Sequence, residues 1–209
     1  GAAAAERAYG VTLQRAGIED AAVAPGSLDA VTLWHVLEHL DDPAAALARL
    51  APWLCPGGVL LAGVPNRASA QALLGGERWL HWDVPRHRTH FTPRGLRALL
   101  RRSGFEVARE SHVLLEHNPL GLWQSLVNRV TPTSDWLFHA LRREAPLRAA
   151  DALPTLLALP LAPLALALEA LFGLARRGGT IVVAARRNPC RSATGGPTSG
   201  RHMAASGTP

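Results

Sequence analysis

His35, Glu38 and His39 stand in a His-x-x-Glu-His spacing, and a second group follows in which Trp79, Trp82, Asp83, His87 and His90 fall within residues 79–90. His35–Leu40 is read as the start of a helix interrupted at Asp41-Asp42-Pro43, on which positions i, i+3 and i+4 share a face and the three heads can converge. One chemistry for such a trio is that of a metal hydrolase, with two imidazoles on zinc and a carboxylate that activates water. A plainer reading has Glu38 and His39 bonding to backbone and shaping a substrate floor. Five of the nine histidines lie between His35 and His90. With Trp79, Trp82, Asp83 and His90 they suggest a substrate rim, on which His39 or His87 would act as general base near neutral pH. Trp79 and Trp82 could equally be core or lid residues.

The elements that must hold these residues follow from local signals. Ala2–Arg7 reads as the end of a helix that Gly10 stops, and Val11–Gln14 as a short strand. The run Leu28–Trp34, entered from the turn Pro25-Gly26-Ser27, reads as a buried strand. Asp42 is an N-cap and Pro43 suits a first helical position, so a helix is predicted from there to Trp53. Pro56-Gly57-Gly58 then turns the chain into Val59–Val64, whose continuous hydrophobicity implies burial on both faces and a parallel sheet under helices. Thr92-Pro93 caps a helix over Arg94–Ser103 closed by Gly104; strands follow at Phe105–Glu116 and Thr180–Ala185. Alternating strands and helices predict an α/β domain with ligands at the carboxyl ends of the strands.

Composition bounds the function classes. The chain has 209 residues, 48% of them hydrophobic and 18% charged, enough for a core that needs neither disulfide nor structural metal. Two cysteines, Cys55 and Cys190, make no disulfide framework and fit a reducing, cytoplasmic setting. The charge of +6 comes from 22 arginines against 16 acids, with no lysine. It is spread as +2 over residues 1–104 and +4 over 105–209, without the dense basic run of a nucleic-acid arm. Between Ala152 and Leu168 lie 17 uncharged residues, long enough with their continuation to approach a bilayer span, yet broken by Pro154, Pro160 and Pro163. An amphipathic or hairpin element on a membrane surface, or over a greasy cleft, is expected there rather than a span; a buried core helix is the alternative. Residues 188–209, rich in Gly, Ser, Thr, Pro and Ala, are expected to be disordered.

Several stretches together resemble class I S-adenosylmethionine-dependent methyltransferases. These are Leu28-Asp29-Ala30-Val31-Thr32-Leu33-Trp34-His35-Val36-Leu37-Glu38-His39-Leu40, then Leu54-Cys55-Pro56-Gly57-Gly58-Val59-Leu60-Leu61, Val64-Pro65-Asn66, Trp82-Asp83-Val84-Pro85-Arg86-His87, Phe91-Thr92-Pro93 and Gly104-Phe105-Glu106-Val107. The resemblance implies a Rossmann-like α/β sheet, here lacking its first two strands, with an apolar helical insertion before the last strand. It divides the chain into a methyltransferase core part at 1–116, the insertion at 117–178, the last core strand at 179–187 and the tail at 188–209. The Gly-rich cofactor loop and the acidic ribose ligand of such families are not found. With a start at Gly1 and the sole methionine at Met203, this reads as a piece whose upstream sequence is missing and which by itself binds cofactor poorly.

Carried onto this chain, the resemblance puts adenine contacts at Gly17, Ile18 and Glu19, and the amino-acid end of S-adenosylmethionine at Leu33 and Trp34. The ubiquinone-type O-methyltransferases and small-RNA 2′-O-methyltransferases are similar around His35, with an ExxEH pattern and a downstream His on a divalent metal. Here that implies His35, Glu38, His39 and His87 as ligands. A His in place of the first Glu shifts preference from magnesium toward zinc or a similar metal. The expected function is methyl transfer to oxygen of a small or lipid-like acceptor, in the cytoplasm or peripheral to a membrane. The rival readings are a non-catalytic membrane-associated module and a metal hydrolase.

Overall fold

Four strands and eight α-helices form among residues 2–143 and 145–188, which the computed structural model describes, the side chains of Ala2 and Ala3 excepted. The tail expected at 188–209 lies, beyond Asn188, outside the described residues, as does Cys190. Strand β1 (Leu28–Trp34) pairs in parallel with β2 (Leu54–Pro65), Ala30–Trp34 facing Val59–Gly63. Strands β3 (Phe105–Ser111) and β4 (Thr180–Arg187) complete a sheet of order β1-β2-β4-β3. β4 runs antiparallel to both its neighbours, so the sheet is mixed where the sequence predicts a parallel one. Continuous hydrophobicity in β2 reports burial on two faces, not the direction of the neighbour. The chain leaves β3, makes its helices beyond that end of the sheet, and re-enters there.

Local chemistry fixes the helices beside the sheet. Asp42 Oδ1 accepts from Ala44 N and Ala45 N at 3.0 and 2.9 Å, starting α2 (Pro43–Leu50), whose end tightens into a single 3-10 turn at Ala51–Trp53. Thr92 Oγ1 accepts from Gly95 N at the start of α4 (Pro93–Arg102). Gly104, at φ 83°, then turns the chain into β3. Leu47 and Leu50 of α2 and Leu96 and Leu100 of α4 are fully buried against Leu54, Leu60, Phe105, Ile181 and Val183. Each such leucine stabilises the fold by about 2 kcal/mol relative to exposure.

Two predicted elements do not form. Residues 11–14 follow helix α1 (Ala2–Tyr9) as exposed coil, because a strand needs a neighbour and the outer edge of β1 carries no strand among the described residues. His35–Leu40 is not a helix: His35 is left-handed at φ 53°, and only Leu37–His39 makes one 3-10 turn. β3 also stops at Ser111, short of Glu116.

After β2 comes α3 (Ala70–Gly75), and after β3 come α5 (Asn118–Val127), α6 (Trp136–Leu141), α7 (Ala149–Ala158) and α8 (Ala162–Leu174). A second core joins α5 to α8 through Leu122, Trp123, Val127 and Ala165. Polar bonds dock this layer on the sheet: Thr180 Oγ1 donates to Asn118 Oδ1 at 2.6 Å, and Glu169 Oε1 accepts from Gly179 N at 2.5 Å.

Candidate active site at the carboxyl end of the first strand

β1 ends at Trp34, and the left-handed His35 keeps its N–H on the Gly63 carbonyl at 2.9 Å while turning the chain inward. Glu38 is thereby buried. Its backbone carbonyl accepts from Arg88 N and Thr89 N at 2.8 and 3.1 Å, fastening the segment 83–90 to this turn. Glu38 Oε1 lies 3.0 Å from His35 Nδ1, whereas Glu38 Oε2 is buried with no hydrogen-bond partner among the described residues.

His39 Nδ1 meets the Arg86 carbonyl at 3.1 Å, and His87 Nδ1 meets the His81 carbonyl at 2.8 Å. A carbonyl only accepts, so in the neutral rings each Nδ1 carries the proton and each Nε2 keeps a lone pair. Burial lowers the pKa of His87 below its ordinary value, against the opposing pull of its His81 bond, Glu38 and Asp83; His87 Nε2 is 3.8 Å from Asp83 Oδ2. The two rings lie 4.7 Å apart. Glu38, His39 and His87 offer ligand atoms all within 4.8 Å of one another. The orphaned carboxylate oxygen and the two Nε2 atoms, whose rings bond to carbonyls through Nδ1, make a donor set that fits a divalent cation. His35 stands outside this trio and instead holds Glu38. With no helix to align His35 and His39, the two-histidine face of a metal hydrolase is not formed.

Two cavities meet at His39. One, of about 340 Å³, is walled by Trp34, His35, Asp83 and His87. The other, of about 520 Å³, is lined by Ile18, Glu19, Leu40 and Asp41 as well as His39. Gly17 lies in the exposed turn before Ile18 and does not line it; Leu33 is a buried core residue beneath. The Trp34 ring covers Gly63, where a Cβ would come within 3.0 Å of it. The structure does not bring Trp79, Trp82 or His90 to either cavity. Trp79 is buried and donates through Nε1 to Gln71 Oε1, and Trp82 faces a separate open cleft of about 810 Å³ beside Arg67. His90 bonds through Nε2 to the Trp82 carbonyl.

The sequence reading missed the far wall of the 340 Å³ cavity: His81, then His117 and Leu120 at α5, and Asp135, Phe138 and His139 at α6. Burial pushes the His81 pKa down to about 3, helped by His35, His87 and His117, so this ring is neutral. Burial raises the pKa of Asp135, against its bond from Asn128. Only the clustering of His81 with His87 and His90 gave a local signal; the α5 and α6 residues arrive by packing alone.

A family described as a methyltransferase domain matches residues 3–110, just over half of the chain. The chain belongs to this methyltransferase-domain family. Among curated relatives, the ubiquinone biosynthesis O-methyltransferase of Xanthomonas euvesicatoria pv. vesicatoria is 38% identical over 106 residues, 47% of this chain and 44% of that protein. The enzyme of the same name from Dinoroseobacter shibae is 34% identical over 117 residues, 53% of this chain and 46% of its own. The methyltransferase-domain chain thus spans less than half the length of these relatives. A SAM-dependent methyltransferase structure from Thermotoga maritima, described as a possible histamine N-methyltransferase, superposes with a TM-score of 0.53 at 17% identity, covering 89% of this chain and 69% of that one. The [4+2]-cyclase SpnF superposes at 0.51 and 18% identity, covering 89% and 60%. These two likenesses carry the Rossmann-like fold.

Proposed function

We propose that the protein transfers a methyl group from S-adenosylmethionine to an oxygen of a small or lipid-like acceptor, working in the cytoplasm. The observation that carries this reading is the convergence of Glu38, His39 and His87 at the end of β1 in a chain of this family. S-adenosylmethionine supplies an electrophilic methyl on a sulfonium. Ile18, Glu19 and Asp41 form one wall for its adenosyl part, with apolar sides for a base and carboxylates that accept from hydroxyls. Leu33 lies in the core beneath, and Trp34 at the strand end walls the adjoining cavity. The 340 Å³ cavity receives the acceptor, Trp34 and Phe138 excluding water and Asp83 and His117 offering polar contacts.

In-line displacement at a methyl group draws most of its rate from alignment, and the remaining task is to remove the hydroxyl proton. With no cation bound, His87, its Nδ1 proton held by the His81 carbonyl and its Nε2 lone pair free, is suited to take that proton, and His39 is the second candidate. If Glu38, His39 and His87 instead hold a divalent cation, those lone pairs are engaged and the cation would supply the activation by lowering the pKa of a coordinated hydroxyl. Because the outer edge of β1 has no strand beside it among the described residues, these 209 residues by themselves are expected to bind S-adenosylmethionine weakly. The test is incorporation of labelled methyl from S-adenosylmethionine by the full-length protein into catechol and longer alkylated phenols. His87→Ala should abolish turnover and retain cofactor binding. A full-length protein that binds no S-adenosylmethionine overturns the reading, and turnover indifferent to chelator and to Glu38→Gln removes the metal.

A further inference from the structure

The segment 149–174 forms a nearly continuous helix of 26 residues through α7, a 3-10 turn and α8, with a mean hydropathy of 2.0 over its most apolar eighteen residues and only 17% of that stretch buried. One side packs on α5 and the other is bare. Leu157, Leu164 and Leu171, seven residues apart, are 72%, 55% and 59% exposed, and Leu153 and Leu161 extend the same apolar surface. The segment holds two carboxylates, and both point inward. Asp151 accepts from Thr133 N and Thr133 Oγ1 at 2.9 and 3.0 Å, and Glu169 accepts from Gly179 N. The outward face therefore carries no charge. Arginines flank it: Arg142, Arg143 and Arg148 precede it against the single acid Glu144, and Arg176 and Arg177 follow it. All five arginines are exposed.

We propose that this face docks on an anionic phospholipid surface, the helix lying in the interface plane with its leucines in the acyl boundary and its terminal arginines on phosphate headgroups. A helix of this length, about 39 Å, could cross a bilayer. Here its inner side is committed to α5, and Glu169 ties it to Gly179, so it lies on the surface instead. A second copy of the chain fits the patch less well. Both ends of the helix are basic, so either parallel or antiparallel packing of two copies sets arginine against arginine. Docking on lipid goes beyond methyl transfer and does not require it, so the two readings stand or fall separately.

The test is flotation of the 209-residue chain with vesicles of phosphatidylcholine, alone or with a quarter phosphatidylglycerol. Binding should be about tenfold tighter to the anionic vesicles and weaken with salt. Leu157→Glu with Leu164→Glu, both at exposed positions, should lose vesicle binding while circular dichroism and melting match the wild type. Arg143→Glu with Arg148→Glu, which leaves the leucines in place, should remove the preference for phosphatidylglycerol. Equal flotation of the leucine variant and the wild type overturns the proposal. So does a wild type that ignores both vesicles but sediments as a dimer that the leucine variant dissolves.

Discussion

Glu38 is the residue on which the site turns, because one oxygen is held by His35 and the other is buried without a hydrogen-bond partner among the described residues. Replacing it by Gln keeps the size and the backbone bonds to Arg88 and Thr89 but removes the anion. Glu38→Gln should lower methyl transfer by about 10²-fold. It should also weaken cobalt binding, read by the visible spectrum of the substituted protein, with little change in melting; a variant that binds cobalt as the wild type does would exclude Glu38 as a ligand. His39 and His87 were legible as a pair because their sequence neighbours mark the end of a strand and a histidine-rich loop. The resemblance implies His35 as a further ligand, and a helix would set it beside His39; in the structure that helix does not form and His35 Nδ1 lies 3.0 Å from Glu38 Oε1. A left-handed φ at His35 leaves no trace in spacing, and it redirects the ring from a metal to Glu38.

At the scale of elements, signals carried by neighbouring residues proved readable. The N-caps Asp42 and Thr92, the Gly104 turn and the bounds of β1 all formed where predicted, since each depends on hydrogen bonds within a few residues. Asp42→Ala removes two cap bonds and should cost about 1 kcal/mol in chemical denaturation. What depended on a distant partner was not readable: Val11–Gln14 has β-strand residues and no strand to pair with among the described residues, and the antiparallel course of β4 is decided by where the helices leave the chain. Helix α8 contributes a pH dependence. Burial raises the Glu169 pKa from 4.5 to about 7, outweighing its bonds from Gly179, Gln71 and Asn118. The native state then holds a proton that the unfolded chain releases, so stability falls as pH rises from about 4.5 to 7. The loss is on the order of 2 kcal/mol. Glu169→Gln should flatten the melting temperature between pH 5 and 8, and an unchanged slope would assign that dependence to other groups.

For the molecule as a whole, the layer α5–α8 does two jobs from opposite sides. Its inner surface, through His117, Leu120 and Phe138, closes the 340 Å³ cavity, and its outer surface presents the leucines of 149–174. Composition pointed to the second job, because 17 uncharged residues in a row are visible in any sequence. The first was hidden, since those side chains reach the cavity only after α5 and α6 pack over the end of β1.

His39 stands in the wall of both cavities, so neither compartment can be filled without the other registering it. On the proposed function, a ligand in the Ile18 and Glu19 compartment and an acceptor in the other would share the His39 imidazole, and by reciprocity each should change the affinity of the other by one common factor. In the full-length protein, the S-adenosylmethionine dissociation constant measured by calorimetry should shift severalfold when a catechol is present, and His39→Ala should abolish the shift. Two substrates that bind with no mutual effect in the wild type would show that the shared ring is a passive partition. With coupling, His39 lets either guest prepare the wall for the other, whichever arrives first.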